Sequence, residues 1–325
     1  MAQIVETSAP AAARVREFAA AVGANVAKVM VGKAAEVELL LVALLAEGHV
    51  LLEDVPGVGK TTLIRALARS LDCQFRRVQF TPDLLPSDVT GLSFFNQKHS
   101  EFEFRPGPIF AQIVLADEIN RATPRAQSAL LEAMQERTVT LDGETRRLPR
   151  PFLVLATQNP VELEGTFPLP EAQLDRFLLK LELGYPSAAE EEAMVLRFER
   201  EDPFDALAPV VGAAQVSELQ QLTRTIELGA AVRGYLVALT RATRELDELE
   251  LGASPRGSLA LARGAQALAA LRGRGFVLPD DVKALVQAVL GHRLILTPEA
   301  RMRGLTAAGL LRDVLARVPV PVEDL

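Results

Sequence analysis

The chain has 325 residues, of which 49% are hydrophobic and 24% are charged, a balance that is typical of a folded protein and leaves room for two domains. Its formal net charge of −7 counts against broad, non-specific binding of nucleic acids. The single cysteine, Cys73, excludes an internal disulfide, and the three histidines lack the spacing of a metal site.

The N-terminal region does not have the pattern of an export signal. It is rich in alanine, but it lacks a basic segment followed by an apolar stretch and a cleavage site. The best candidate for a membrane span, residues 37–46, is interrupted by Glu38 and is shorter than the roughly 18 apolar residues that a span needs. We therefore expect a soluble, cytoplasmic protein.

Apolar periodicity predicts two helices, over residues 10–30 and 34–46, followed by five short strands. Helical stretches separate the strands, which indicates a three-layer α/β domain with a parallel sheet whose ligands bind at the carboxyl ends of the strands. The runs that are short enough for buried parallel strands are 50–52, 75–80, 113–116, 152–156 and 177–181.

Two β-hairpins interrupt this alternation. Asp142-Gly143 is typical of a type I′ turn and lies between the runs 138–141 and 144–148. A looser hairpin is predicted from the runs 92–95 and 102–104, which flank a polar stretch. From the residues alone, each hairpin can be either a surface ornament or a working element.

A boundary is predicted at Gly184-Tyr185-Pro186. Directly after it, Ser187 and Glu190 form a capping box that begins a new helix. The remaining chain is almost entirely helical, so we expect an α/β domain over residues 1–185 and an all-α domain over residues 186–325.

Residues 50–62 predict a phosphate-binding loop between a strand and a helix. Backbone N–H groups at a helix N-terminus favour anions, Lys60 can reach the β and γ phosphates, and the hydroxyl of Thr61 can bind Mg²⁺. Asp54 stands where the usual pattern has its first glycine, and an ordinary glycine-rich turn is the alternative interpretation. The predicted nucleotide-binding residues of the loop are Pro56, Gly57, Val58, Gly59, Lys60, Thr61 and Thr62.

A second group of predicted site residues follows the later strands. Asp117 and Glu118 end an apolar strand, where Asp117 can hold the Mg²⁺ shell and Glu118 can polarise a water molecule for attack on the γ phosphate. Asn159 can orient that water, although Asn159-Pro160 alone indicates only a turn. Arg176 can stabilise a transferring phosphoryl group, including one bound to a neighbouring subunit. Arg256 can contact the γ phosphate and report the state of the nucleotide to the lid, although a lone arginine is more often a solvated or ion-paired surface group.

In this order the motifs resemble those of the AAA+ ATPases, and in detail those of the MoxR family. The resemblance covers nearly the whole chain and includes Asp54 in place of the first loop glycine. It rests on LLEDVPGVGKT (51–61), TPDLLPSDVTG (81–91), ADEINRATPR (116–125), LLEAMQE (130–136), ATQNP (156–160), LPEAQLDRF (169–177) and GASPR (252–256).

The resemblance implies an AAA+ fold with a P-loop αβα domain and a helical lid. It implies that Lys60 and Thr61 belong to Walker A and that Asp117 and Glu118 belong to Walker B. It further implies that Asn159 is sensor 1, Arg176 an arginine finger given to the adjacent subunit, and Arg256 sensor 2. Val31 and Gly32 would lie near the adenine.

At the level of assembly, the resemblance implies ring oligomers, usually hexamers, with ATP and Mg²⁺ between subunits. The two hairpins correspond to inserts that face a central pore in this clade. The family also implies a chaperone-like partnership with proteins that carry von Willebrand factor A domains.

Three other functions remain open from the sequence. Arg146, Arg147 and Arg150 near the second hairpin give some support to a nucleic-acid-acting AAA+ motor, but the acidic total counts against it. A nucleotide-gated scaffold would not need the intact Glu118 and Arg176. A P-loop kinase would not need an arginine of the Arg256 type in a second domain.

Overall fold

The computed structural model describes residues 2–159, 165–199 and 202–321. No helix in these ranges is long and apolar enough to cross a lipid bilayer. The helices are α1 (Ala2–Val26), α2 (Ala34–Leu45), α3 (Lys60–Ser70), α4 (Pro86–Thr90), α5 (Pro124–Glu136), α6 (Glu171–Leu174), α7 (Ala188–Phe198), α8 (Ala213–Thr223), α9 (Ala230–Ala242), α10 (Pro255–Leu271), α11 (Pro279–Leu290), α12 (Pro298–Met302) and α13 (Ala307–Arg317). The strands are β1 (Val50–Glu53), β2 (Phe75–Gln79), β3 (Gly91–Asn96), β4 (Glu101–Pro106), β5 (Ile113–Asp117), β6 (Thr138–Leu141), β7 (Glu144–Arg147), β8 (Leu153–Gln158), β9 (Leu179–Leu181), β10 (Leu249–Leu251) and β11 (Ile295–Leu296).

A five-stranded parallel sheet forms the centre of the first part of the chain. Its strand order is β2-β5-β8-β1-β9, and every neighbouring pair is parallel. These are the five strands that the apolar runs predict, so the predicted parallel α/β sheet is confirmed. β5 is buried along its whole length, as expected for a strand that helices cover on both faces.

Both predicted hairpins are present, and they contact each other. β3 pairs with β4 and β6 pairs with β7, each as a separate two-stranded antiparallel sheet. Asp142 and Gly143 have φ values of 53° and 81°, as a type I′ turn requires. The guanidinium of Arg146 on β7 lies 4.2 Å from the ring centroid of Phe104 on β4. This cation–π contact joins the two hairpins.

The region after Gly184 is helical, as predicted, with one addition. The capping box that begins α7 is formed, because the Ser187 N–H donates to Glu190 Oε2 at 2.8 Å. The addition is a short antiparallel pair of β10 and β11, in which Leu249 lies opposite Leu296. Strands of two or three residues are too short to give an alternating pattern that the sequence could reveal.

One hydrophobic core runs from the sheet into the helical region. α1 spans Ala2–Val26 rather than residues 10–30, but its predicted apolar face is buried at Val15 and Phe18. These side chains belong to the same core cluster as Leu261 and Leu268 of α10. The first two helices therefore pack on the C-terminal helices as well as on the sheet, and the division into domains 1–185 and 186–325 stays a prediction.

His49 lies just before β1 and hydrogen-bonds to backbone groups of α5 and β8. Its Nδ1 accepts a hydrogen bond from the Val154 N–H at 3.0 Å, so its Nε2 carries the proton and donates to the Met134 carbonyl at 2.9 Å. Burial lowers the pKa of His49 to about 4, although the bond to Met134 opposes this shift. The imidazole is therefore neutral in the folded protein at pH 7.

We expect His49 to make the protein less stable in mild acid. In the unfolded chain this side chain takes up a proton below its ordinary pKa of 6.5, whereas in the folded protein it stays neutral down to about pH 4. The unfolded state binds more protons between these values, so the stabilisation present above pH 6.5 is lost as the pH falls towards 4. Between pH 7.5 and pH 5.0 this effect should lower the free energy of unfolding by about 2 kcal/mol, which urea unfolding at the two pH values measures.

His49→Gln keeps a hydrogen-bond acceptor and a donor but cannot be protonated in this range. Over the same pH change, the free energy of unfolding of the wild type should therefore fall by about 2 kcal/mol more than that of His49→Gln. His99, in the exposed turn between β3 and β4, is the matched control, and His99→Gln should show the full wild-type loss. The same pH dependence in His49→Gln and the wild type would contradict this assignment.

Candidate functional site

The loop between β1 and α3 has the geometry of a phosphate cradle. Gly57 and Gly59 have φ values of 89° and 90°, a conformation that L side chains rarely adopt. Gly59 is the N-cap of α3, so the first helical N–H groups face the loop. The Lys60 ammonium donates to the carbonyls of Asp54 at 2.9 Å and Val55 at 2.8 Å, which places its positive charge inside the loop.

This loop forms one wall of a cavity of about 360 Å³ at the carboxyl edge of the sheet, here called the P-loop cavity. The cavity contains most of the predicted nucleotide and catalytic residues of the first part of the chain. Val58 contributes its side chain to the hydrophobic core instead. Pro160 lies outside the described residues. The residues that line the cavity are Pro56, Gly57, Gly59, Lys60, Thr61, Thr62, Arg77, Asp117, Glu118, Thr157, Gln158 and Asn159.

Asp117 and Glu118 are held by the hydroxyl of Thr157, a buried residue on β8. The Thr157 hydroxyl donates to Asp117 Oδ1 at 2.6 Å and accepts from the Glu118 N–H at 2.8 Å. Glu118 has a φ of 55°, in the left-handed region, so its side chain turns away from the direction of the strand. The two carboxylates therefore occupy different positions in the cavity, as the different roles predicted for them require.

Two side chains of β2 also bind these carboxylates, and the sequence did not reveal them. Arg77 donates through Nε at 2.9 Å and Nη2 at 2.6 Å to Asp117 Oδ2, and Gln79 donates to Glu118 Oε2 at 2.8 Å. A cation that binds Asp117 must share this carboxylate with Arg77 or displace it. These side chains reach the carboxylates because the strand order places β2 beside β5. No local pattern in the sequence indicates that order.

Asp54 anchors the P-loop to the segment that follows β9. Its Oδ2 accepts the N–H groups of Leu183 at 2.6 Å and Gly184 at 2.8 Å, and its Oδ1 accepts the N–H of Val55 at 2.9 Å. The side chain is buried, so these three donors satisfy a carboxylate that water cannot reach freely. Asp54, which stands where the usual loop pattern has its first glycine, therefore has a structural role in this protein.

The P-loop cavity fits a magnesium nucleotide. It offers backbone N–H groups and Lys60 for phosphates, and the Thr61 hydroxyl and Asp117 carboxylate as oxygen ligands for Mg²⁺. In the part of the chain that the structure describes, no group of three or more histidine, cysteine or acidic side chains could hold a metal by itself. Mg²⁺ usually takes one or two protein ligands and completes its shell with phosphates and water.

Arg176 and Arg256 line a different cavity, of about 470 Å³, here called the arginine cavity. Neither of them lines the P-loop cavity of the same subunit. Seven arginines contribute to the arginine cavity, against the two carboxylates of Glu47 and Asp175. The arginines are Arg137, Arg150, Arg176, Arg224, Arg256, Arg263 and Arg293.

The charges of the arginine cavity are only partly compensated. Glu47 pairs with Arg137 and Arg224, and these contacts hold the pKa of Glu47 below its ordinary value although burial alone would raise it. Asp175 pairs with Arg293 at 2.7 Å. Within the described ranges, no carboxylate lies at ion-pair distance from the four remaining arginines, which are Arg150, Arg176, Arg256 and Arg263. The cavity is therefore suited to an anion.

The predicted adenine contacts lie apart from both of these cavities. Gly32 borders a mostly apolar cavity of about 300 Å³ between α1 and α2, which also includes Met30 and Leu41. Val31 is half-buried next to it and lines none of the three cavities. Contact of Val31 and Gly32 with the adenine stays a prediction.

Two family models match separate parts of the chain. Residues 49–179 match the ATPase family associated with various cellular activities (AAA), and residues 241–314 match the AAA lid domain. The first match contains the P-loop cavity and Arg176, and the second contains Arg256. The order of the two matches agrees with a sheet domain followed by a lid.

Named relatives are similar over most of the chain. Chaperone MoxR1 of Mycobacterium tuberculosis is 43% identical over 306 residues, which cover 91% of this chain and 81% of that one. The uncharacterised protein YeaC of Bacillus subtilis is 53% identical over 299 residues, 92% of this chain and 93% of the relative. Protein MoxR of Paracoccus denitrificans is 37% identical over 320 residues, 90% and 93% of the two chains.

A solved structure has the same fold. The crystal structure of a candidate ATPase from Cytophaga hutchinsonii superposes with a TM-score of 0.89 at 38% sequence identity, and the match covers 98% of each chain. The similarity therefore includes the sheet, both hairpins and the helical region rather than the nucleotide-binding core alone.

We expect Asp54→Ala to destabilise the protein by about 2–4 kcal/mol, because it leaves the N–H groups of Leu183 and Gly184 without their charged acceptor. Urea unfolding at pH 7.5 measures this loss. The adjacent Glu53 provides the matched control. Glu53→Ala removes only a partly exposed ion pair with Lys180 and should cost less than about 1 kcal/mol. Equal losses in the two variants would contradict the anchoring role of Asp54.

Proposed function

This chain belongs to the MoxR family of AAA+ ATPases, and we propose that it forms a hexameric ring that hydrolyses ATP at the contacts between subunits. Hydrolysis in turn drives the remodelling or activation of client proteins. A MoxR-type ATPase binds and hydrolyses a nucleotide, and the P-loop cavity is its nucleotide site.

A single subunit keeps Arg176 and Arg256 away from its own P-loop cavity, and this separation carries the proposal. The P-loop cavity contains every group needed to bind phosphates, but Arg77, already bound to Asp117, is the one arginine that lines it among the described residues. The arginine cavity has the opposite composition, a surplus of cations without a phosphate-binding loop. Two such surfaces complement each other when one subunit meets the next head to tail.

In the P-loop cavity, the residues of this chain bind and orient the reactants. The N–H groups of the loop and the Lys60 ammonium bind the β and γ phosphates. Thr61 and Asp117 would hold Mg²⁺, which when bound neutralises negative charge on the phosphates. A carboxylate oxygen of Glu118 accepts a hydrogen bond from the attacking water and polarises it, and the Asn159 side chain fixes the direction of that water.

Arg176 and Arg256 of the neighbouring subunit stabilise the negative charge that develops on the γ phosphoryl group. Arginine suits this role because its guanidinium is planar, always charged and able to donate two parallel hydrogen bonds. The buried Nε of Arg176 has no hydrogen-bond partner among the described residues. An arginine supplied in this way contributes a rate factor of about 10³–10⁵, or about 4–7 kcal/mol.

The hairpins supply the surface for clients and for a partner with a von Willebrand factor A domain. The β3–β4 hairpin exposes Phe94, Phe95 and Phe102, and Phe102 is 75% exposed. Large exposed aromatics on a two-stranded sheet are typical of a protein-binding surface. By contrast, Arg146 is held against Phe104 and Arg150 lines the arginine cavity, which removes most of the support for a nucleic-acid motor.

We expect the ATPase rate per subunit to rise with protein concentration, because each site needs a neighbour. Arg176→Ala should lower the steady-state rate about 10³-fold while a fluorescent ATP analogue binds with unchanged affinity, since Arg176 does not line the P-loop cavity of its own subunit. Mass measurement with and without ATP should show a nucleotide-stabilised ring.

Arg241→Ala, at an exposed position on α9, is the control and should retain the wild-type rate. Glu118→Gln should bind the analogue but fail to turn ATP over. A specific activity that stays constant on dilution, together with equal loss of binding and turnover in Arg176→Ala, would refute the shared site.

A further inference from the structure

Arg176 and Arg256 reach the same cavity from distant parts of the chain. Arg176 follows the short helix α6 at the edge of the sheet domain, whereas Arg256 lies in the first turn of α10 in the helical region. Two groups that act together on one anion must keep a fixed separation, because an error of about 1 Å can cost a factor of 10² in rate. The contacts between their chain segments therefore matter for the shared site.

Asp175, the residue before Arg176, binds two groups of the helical region. Its Oδ1 accepts from Arg293 Nε at 2.7 Å, and its Oδ2 accepts from the Ser254 hydroxyl at 2.9 Å. The Asp175 side chain is 19% exposed, so both bonds are largely shielded from water. One carboxylate thus connects the segment of Arg176 with two elements of the helical region.

Ser254 carries this connection to Arg256. It is the N-cap of α10, and its hydroxyl oxygen accepts from the Arg256 N–H at 3.1 Å while it donates to Asp175. Two successive hydrogen bonds through one oxygen therefore join the backbone of Arg256 to the carboxylate beside Arg176. By contrast, the N-cap hydroxyl of Thr306 on α13 accepts from the Gly309 N–H of its own helix.

Arg293 fixes the backbone on the other side of Arg176. Its side chain is 3% exposed, and its guanidinium donates to the carbonyls of Phe177 at 2.6 Å and Leu178 at 3.2 Å as well as to Asp175. A buried guanidinium needs a counter-ion, and Asp175 is the carboxylate that pairs with it. Arg293 therefore holds the chain on both sides of Arg176.

We propose that Asp175, Ser254 and Arg293, here called the Asp175 clamp, are positioning residues that hold Arg176 and Arg256 as one rigid unit for presentation to a neighbouring subunit. The inference rests on the shared site under Proposed function. The clamp does not touch the nucleotide. It fixes the separation of the two arginines. Any change in the orientation of the lid therefore also changes the orientation of the arginine finger.

The alternative is that the clamp only stabilises the fold. The chain offers a matched control, because Asp281 in α11 forms a similar buried pair with Arg274 at 2.5 Å and also accepts the Leu278 N–H at the start of its helix. Its side chain is 1% exposed, and neither partner lines the arginine cavity. Asp281→Asn therefore removes a comparable pair and cap without affecting the two arginines.

The test uses mixed rings of full-length protein. Asp175→Asn should bind a fluorescent ATP analogue within about twofold of wild type but hydrolyse ATP about 100-fold more slowly. Lys60→Ala should neither bind nor hydrolyse ATP, but its arginine cavity is intact. When the two inactive proteins are mixed in equal amounts, intact arginine pairs meet intact P-loop cavities. The rate should recover to about a quarter of wild type, because half of the subunits bind ATP and half of their neighbours supply the arginines.

Three comparisons decide the outcome. Arg176→Ala mixed with Lys60→Ala should recover in the same way, and failure of that mixture would overturn the shared site itself. If that mixture recovers but Asp175→Asn with Lys60→Ala does not, or if Asp175→Asn alone is fully active, the clamp is overturned. Asp281→Asn should unfold at lower urea than wild type yet keep its ATPase rate. If Asp281→Asn instead loses activity, and mixing with Lys60→Ala restores it, the clamp is likewise overturned.

Ser254→Ala provides a second variant that leaves the pair of Asp175 and Arg293 intact. It should lower the ATPase rate about 10-fold and recover on mixing with Lys60→Ala, because the tie to Arg256 is lost. Thr306→Ala removes an equivalent cap on α13 and should keep the wild-type rate. Equal rates in Ser254→Ala and Thr306→Ala would overturn the clamp even if Asp175→Asn does not fold.

Discussion

The register of the parallel sheet is the constraint on which the nucleotide site depends. β5 pairs with β8 so that Ala116 lies opposite Ala156, which brings the next residues, Asp117 and Thr157, side by side. The Thr157 hydroxyl can then bind both the Asp117 carboxylate and the N–H of Glu118. A slip of one residue would turn each side chain to the other face of the sheet and break both contacts.

Charge is distributed unevenly within the subunit. The chain is acidic overall, yet its arginine cavity contains seven guanidinium groups and two carboxylates. Burial lowers the pKa of Arg293, Asp175 opposes that shift, and the neighbouring charge of Arg256 lowers it further. Like charges in a partly shielded space repel, so an anion from outside the subunit would relieve this repulsion.

β9 is the physical link between the sheet and the lid. It lies at the edge of the sheet beside β1, the strand that leads into the P-loop. Asp175 comes shortly before β9 and binds the helical region, and Asp54 of the P-loop binds the backbone N–H groups just after it. A movement of the lid can therefore act on both ends of one short strand, and through it on the loop that binds phosphates.

The sequence by itself determined the five strands, both hairpins, the phosphate loop and the two carboxylates, because these features depend on apolar periodicity and on turn chemistry between near neighbours. It also indicated Arg176 and Arg256, but not where they lie. Only the tertiary structure brought Arg77, Gln79 and Thr157 to the carboxylates, and only it placed the two arginines in a cavity of their own. Those relations depend on strand order and on the packing of the lid, which join residues far apart in the chain and so leave no local pattern.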